Sequence, residues 1–206
     1  MQEQEGNEFV DEGYEKYEEY EDWMQVEDPG VNIDGEIEDV EMVRVLEFVL
    51  GGDTYAIEVT DVSSIVEMSD ITVTRLPRSP DAIDGVTDMR GEITAVLDLR
   101  KLLEVDEEHP SKEFLLVLDW DDDRQKMGLR ADDVLQVEAY AEGRIDYNAE
   151  LDELESRGVS QKMIQGLIRK PTSTDGTDGN DEDESGIELV CWLDIENVVS
   201  KLGVAR

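Results

Sequence analysis

One twelve-residue pattern occurs twice in this chain and limits what it can fold into. EITAVLDLRKLL (92–103) lies beside ELVCWLDIENVV (188–199) when Asp194 is set on Asp98. Glu, an apolar strand, Leu-Asp, a branched residue or Leu, and an apolar helix all correspond. A short strand cannot bury its apolar side alone. Two such passages among other short strands therefore suggest two similar small β units. Strands at this density, separated by Gly-bearing turns, point to barrels or sandwiches.

The first copy ends a more specific stretch, LPRSPDAIDGVTDMRGEITAVLDLRKLL (76–103). Pro77 and Pro80 fix an extended entry. Gly85 and Gly91 bracket a segment whose one cation, Arg90, stands just before a strand. Ile93, Ala95 and Leu97 share one face of that strand. Asp98 is placed to accept a backbone N–H of Arg100 or Lys101 and start a helix through Leu103. No nucleophile with its base and no phosphate cradle is present, so the stretch reads as a surface shaped for a partner.

The remaining elements are short. Val45, Glu47 and Val49 alternate against Leu46, Phe48 and Leu50, Gly51-Gly52-Asp53 turns the chain, and Thr54 to Val59 runs back, a hairpin signal. Asp61 to Glu67 is mixed, with Val62, Ile65 and Val66 at near-helical spacing. Ile71 to Leu76 reads as a strand, as do Phe114 to Trp120, Lys126 to Arg130, Val134 to Tyr140, Met163 to Ile168 and Ile187 to Leu193. Asp121 to Asp123 forms a turn, and Ala149 to Arg157 makes one or two helical turns closed by Gly158. The segment 171–186 is rich in Thr, Asp, Gly and Asn and reads as a flexible loop. A final helix spans Asp194 to Leu202.

Charge is the second constraint. The chain carries 55 acidic and 18 basic residues, a net charge of -37. Residues 1–41 hold 17 acids and one Lys, and 171–186 hold six acids and no base. Outside those segments 32 acids still face 17 bases. An acidic, Lys-poor surface keeps its solvation at molar salt, where the Debye length shrinks to roughly 3 Å and self-repulsion is screened. This balance suits the cytoplasm of an extreme halophile; the plainer alternative is an acidic protein with acidic tails. The charge argues against nucleic acid, whose phosphates need a basic stripe. No apolar run reaches the roughly 18 residues of a membrane span. The acidic start MQEQEG does not read as a secretory signal. A single cysteine, Cys191, excludes an internal disulfide and fits a cytoplasmic location. Residues 1–41 are expected to be mostly disordered, although Tyr14, Tyr17, Tyr20 and Trp23 recur every third residue and fit one side of a short helix. That arm is a solvated acidic tail, or it orders on a partner.

Candidate chemistry is thin. His109, the only histidine, reads as an exposed loop residue, because no Cys or second His is available for a zinc site. Cys191 falls among apolar strand residues and reads as a buried thiol. Gly51-Gly52 lacks the Gly-Lys-Ser/Thr of a phosphate loop. Asp181, Asp183, Ser185 and Gly186 match positions one, three, five and six of a calcium loop, but position twelve is Trp192 rather than Glu, so the segment reads as a solvated acidic loop. No catalytic residue, metal site or cofactor is expected.

Six passages together resemble the CheW family, the adaptor of bacterial and archaeal chemotaxis: LEFVLGGDTYAIEV (46–59), VSSIVE (62–67), TRLPRSPDAIDGVTDMRGEITAVLDLRKLL (74–103), FLLVLD (114–119), MGLRADDVLQV (127–137) and LDIENVVSKL (193–202). The resemblance covers nearly all of 42–206. It implies a mainly β fold of two small five-stranded, SH3-like barrels packed together, with short helices and a C-terminal helix. It also implies a non-catalytic adaptor between chemoreceptor tips and the histidine kinase CheA. The related regulatory domain of CheA has similar strands, but no kinase or phosphotransfer segment fits in this chain. In the family the receptor tip lies in an apolar groove between the barrels. Matching positions here are Val62 and Ile65, with Gly85, Asp88 and Arg90 near the same rim. Gly128 matches a family Gly of the second barrel that lets strands approach. The family usually has Glu where Ser64 stands, which leaves Glu67, Asp88 or another chain as the partner of Arg90. Asp88 stands where Asn is usual, and the loop 171–186 has no counterpart in the short family pattern. The alternative is a stand-alone acidic scaffold or regulatory protein using the same fold without a kinase partner.

Overall fold

Gly51 and Gly52 turn the chain at φ values of 59° and 78°, in the left-handed region that residues with a Cβ avoid. They join β1 (Met42–Leu50) to β2 (Asp53–Glu58) in the expected hairpin. The computed structural model describes residues 41–103, 105, 109–119, 125–148, 160–171 and 187–202. The readings for residues 1–40, for the turn at 121–123, for the helical turns at 149–157 and for 172–186 lie outside the described residues.

Three strands and a helical turn follow: β3 (Val62–Glu67), β4 (Ile83–Met89), β5 (Glu92–Leu97) and α1 (Arg100–Leu103). A second hairpin, β6 (Phe114–Leu118) and β7 (Met127–Ala131), leads into β8 (Asp133–Ala141), the two-residue β9 (Ile145–Asp146), β10 (Ile164–Pro171), β11 (Ile187–Leu193) and α2 (Ile195–Ser200). Both helices start as the sequence predicts. The Arg100 amide donates to Asp98 Oδ1 at 3.1 Å, and the Asn197 amide donates to Asp194 Oδ1 at 2.9 Å.

The repeated sequence units are not the spatial units. One sheet runs β3-β6-β7-β5-β4 and the other β8-β1-β2-β11-β10-β9. Each repeat reads hairpin, strand, hairpin, helix, and each gives its leading hairpin to the barrel built by the other. The seams are the only parallel pairings among the described strands. Strand β5 lies along β7 with Val96 opposite Gly128, and β11 lies along β2 with Trp192 opposite Ala56. Strands β3 to β7 thus form an inner barrel, while β1, β2 and β8 to β11 form an outer barrel. The second has a short sixth strand beyond the expected five. Gly128 is therefore corrected to the inner barrel, the same one that holds Val62, Gly85 and Arg90, because the hairpin exchange pairs its strand with β5. Its missing Cβ leaves room for the Leu115 side chain on β6.

Both barrels close in the same way. Thr74 pairs with Val86 on β4, and Ile145 and Asp146 pair with Ile168 and Leu167 on β10. At each closure a glycine permits the approach. A Cβ on Gly85 would run into the Thr74 carbonyl, and one on Gly166 would sit 2.7 Å from Ile145 Cγ2. The large apolar cluster containing Leu46, Phe48, Leu97, Leu116, Leu129 and Leu193 draws on both sheets and fills the space between the barrels. Smaller clusters line each interior, Val45, Ala56, Val190 and Trp192 in the outer barrel and Val66, Val96, Leu115 and Val117 in the inner one.

Three local expectations are corrected. Asp61 to Glu67, with its near-helical spacing, is mostly strand, and a register shift between Val62 and Ser64 produces that spacing. Ile71 to Leu76 contributes only the Thr74 bridge. Ile93 is 57% exposed, although Ala95 and Leu97 on its face are buried, because burial of β5 begins at Thr94.

Candidate partner interface

The edge strand β3 puts Val62 into the inter-barrel core at 9% exposure, while Ile65 packs against that core and stays half-buried. Gly85 is buried in β4 at the barrel closure. Asp88 and Arg90 are exposed at the β4–β5 hairpin. The five expected site residues thus belong to one barrel but do not share one open surface. Val62 and Gly85 are buried, and Ile65, Asp88 and Arg90 remain accessible.

The hairpin tip is tightly specified. Arg90 and Gly91 are both left-handed, with φ of 54° and 87°, between the paired residues Met89 and Glu92. Two positive φ values define a type I′ connection, which matches the twist of the strands it joins. Asp88 Oδ1 accepts the Gly91 amide at 2.8 Å, so this carboxylate fixes the turn. Glu67, the other expected partner of Arg90, receives Lys112 at 3.3 Å.

Two polar networks escaped the sequence reading. In the first, Arg100 of α1 pairs with Asp132, whose other oxygen accepts the Gly51 amide at 2.8 Å. Arg130 of β7 pairs with both Asp84 and Glu113. His109 joins them, with Nδ1 2.7 Å from Glu113 Oε1 and Nε2 3.5 Å from Asp98 Oδ2. It is exposed as expected, yet engaged rather than idle. Burial works against the Arg130 charge, but the Glu113 hydrogen bond and the nearby carboxylates outweigh it and hold the guanidinium above its ordinary value. The network reaches from the inner barrel to the β1–β2 turn of the outer one and so links the two halves. Its one local signal was Arg100 following the Leu-Asp start of a helix.

The second network fills the outer barrel. Glu47 is fully buried and accepts from Tyr140, from Lys170 at 2.7 Å and from Gln136 at 3.3 Å. Glu138 also receives Lys170, at 3.0 Å. Burial and then the two carboxylates push the Tyr140 hydroxyl upward. For Lys170 desolvation is outweighed by its bonds to Glu47 and Glu138, which hold the ammonium charged. Alternation along β1 signalled a polar position at Glu47 but not that it faces inward.

Cys191 is buried in the core between the barrels. Among the described residues no group of three or more His, Cys, Asp or Glu is arranged to hold a metal ion, and no helix is long and apolar enough to cross a membrane.

Comparison with known proteins adds independent findings. The CheW-like domain matches residues 44–202, which include strands of both barrels. A chemotaxis protein CheW of Thermotoga maritima is 26% identical over 161 residues, covering 78% of this chain and 90% of the relative. The CheW of Treponema pallidum is 25% identical over 138 residues, covering 65% and 76%. The crystal structure of the scaffolding protein TtCheW from Thermoanaerobacter tengcongensis superposes with a TM-score of 0.56 at 19% identity. It covers 75% of this chain and 90% of that one, which shows the shared fold.

Proposed function

Because the chain belongs to the CheW family, we propose that it is a non-catalytic adaptor coupling chemoreceptor cytoplasmic tips to the histidine kinase CheA. The observation that carries this reading is the family match over 44–202, which takes in both barrels rather than one isolated motif. Two barrels packed through one core offer two faces to two partners. Holding both at once raises the local concentration of kinase at receptor. The protein then works in the cytoplasm, at receptor arrays on the inner face of the membrane, reaching the membrane only through its partners.

Ile65 and Arg90 are the side chains we assign to the receptor. Ile65 offers an apolar contact backed by Val62, and Arg90 offers a planar guanidinium to a carboxylate or carbonyl of a helical hairpin. CheA docks barrel against barrel. Co-sedimentation of purified CheA with receptor fragments, with and without this protein, tests the reading. Kinase should pellet only when the adaptor is present, and Ile65→Asp should lose receptor while keeping CheA. Val62→Asp is the contrast: its burial predicts a lowered melting temperature and loss of both partners together. Failure of the intact adaptor to bring CheA down would favour a stand-alone acidic scaffold.

A further inference from the structure

A basic and apolar turn stands out on this acidic surface. Thr74 and Val86 exchange backbone hydrogen bonds at 2.8 and 2.9 Å, and the Ile83 amide donates to the Pro80 carbonyl at 2.9 Å. Ser79 Oγ donates to the Leu76 carbonyl at 3.1 Å. The turn between these anchors is therefore held in place. It presents Arg75, whose side chain is 86% exposed and meets Asp84 only at 3.5 Å, and Leu76, which is 43% exposed. Arg78 is exposed and makes no ion pair among the described residues. Its φ is 66°, directly after Pro77. A turn with Pro first and a left-handed residue second is normally completed by Gly or Asn, because a Cβ at that position is strained. Two arginines thus flank an exposed Leu-Pro, one of them at a backbone position better suited to glycine, on a chain with 55 acids and 18 bases.

We infer that the Arg75–Leu76–Pro77–Arg78 turn docks the acidic, aromatic N-terminal segment of the same chain, around Tyr14 to Trp23. Charge complementarity selects this occupant. Residues 1–41 carry 17 acids and one Lys, and they place Tyr14, Tyr17, Tyr20 and Trp23 among those acids. Carboxylates answer the guanidinium groups, and aromatic faces answer both arginine and Leu76. Trp23 lies 19 residues before Met42, and an unstructured chain of that length would have an end-to-end distance of roughly 25 Å. Attachment in cis supplies an effective concentration in the millimolar range, enough to populate a contact that would be weak between separate molecules. The arm and any acidic partner then compete for the same turn.

The test uses the full chain with Cys191→Ala and a nitroxide on Thr72→Cys, an exposed position beside the turn, so that the buried native thiol takes no label. The expected result is selective broadening of amide resonances between residues 14 and 23, and its loss in Arg75→Gln/Arg78→Gly. Glycine suits the left-handed position, so this variant keeps the turn, and near-ultraviolet circular dichroism checks the fold. Broadening that is absent, is spread evenly over residues 1–40, or survives the double substitution overturns the proposal. So does broadening seen only between nitroxide-bearing and isotope-labelled copies in a mixture, which would make a second copy the occupant.

Discussion

The two barrels share a topology but fill their interiors with opposite chemistry. Residues opposite Gly128 and Ala56 identify equivalent positions: Val117 in the inner barrel corresponds to Glu47 in the outer one. Counting from the closure glycines Gly85 and Gly166, Met89 corresponds to Lys170. Counting from Ser64 and Gln136, which face Val117 and Glu47, Val66 and Met68 correspond to Glu138 and Tyr140. One lumen is closed by valines and methionines and the other by an ion-paired, hydrogen-bonded cluster. The backbone arrangement therefore does not dictate how the lumen is filled. What it requires is that every group placed there be satisfied, by packing in one case and by partners in the other.

The largest effect should come from breaking that cluster one-sidedly. Lys170→Met leaves the buried Glu47 without its cation and should cost about 3–5 kcal/mol. Glu47→Val with Lys170→Met copies the Val117 and Met89 of the inner barrel. Replacing a buried pair by matched apolar side chains is neutral or stabilising by about 1–4 kcal/mol, so the double variant should recover most of the loss. Urea unfolding of the single and double variants decides this. A double variant as weak as Lys170→Met would show that the two lumens are not interchangeable.

The closure glycines sharpen the comparison at a smaller scale. Alanine at position 85 meets the Thr74 carbonyl, a backbone group fixed by two hydrogen bonds, whereas alanine at 166 first meets the Ile145 side chain. Overpacking costs about 1–3 kcal/mol, and Gly85→Ala should fall at the upper end with Gly166→Ala at the lower. Melting temperatures in the reverse order would mean that the inner closure yields more readily than its hydrogen bonds suggest.

How much of this was legible in the sequence depended on the range of the interaction. The Asp98 and Asp194 caps, the Gly51–Gly52 turn and most strands follow from neighbours a few residues apart. The exchange of hairpins does not, because it is decided by Val96 meeting Gly128 and Trp192 meeting Ala56, pairings that leave no local period. The alternation of Val45 and Glu47 against Leu46 and Phe48 suggested one buried face and one polar face. In a barrel packed on another barrel both faces are buried, and Glu47 is satisfied by Lys170, 123 residues away. The same limit applied to the candidate site. The family resemblance marks Val62 and Ile65 as groove positions, but only their depth, set by the inter-barrel core, separates the buried residue from the accessible one.

The smallest effect concerns the junction where each helix meets the strand turn of the opposite repeat. Arg100 of α1 neutralises Asp132 there. With Asp98 matched to Asp194, the residue corresponding to Arg100 is Glu196, and it contributes repulsion at Asp61. The Asp61 carboxyl is held above its ordinary value of 3.8 by burial first, then by Glu58, Glu196 and Asp194. A carboxyl raised in the folded state binds its proton more tightly there than in the unfolded chain. Ionising it therefore costs stability, and the cost grows as pH rises from about 4 through the folded value. Asp61→Asn should stabilise the protein at neutral pH, by about 0.5 kcal/mol or less because the site is partly exposed. The gain should vanish below about pH 4, where Asp61 is protonated in both states. Glu196→Arg should give a similar gain by restoring the charge that Arg100 supplies at the other junction. Denaturation midpoints of the two variants at pH 7 and at acid pH provide the check. A gain that persists unchanged into acid would assign the effect to packing and leave the two junctions electrostatically alike.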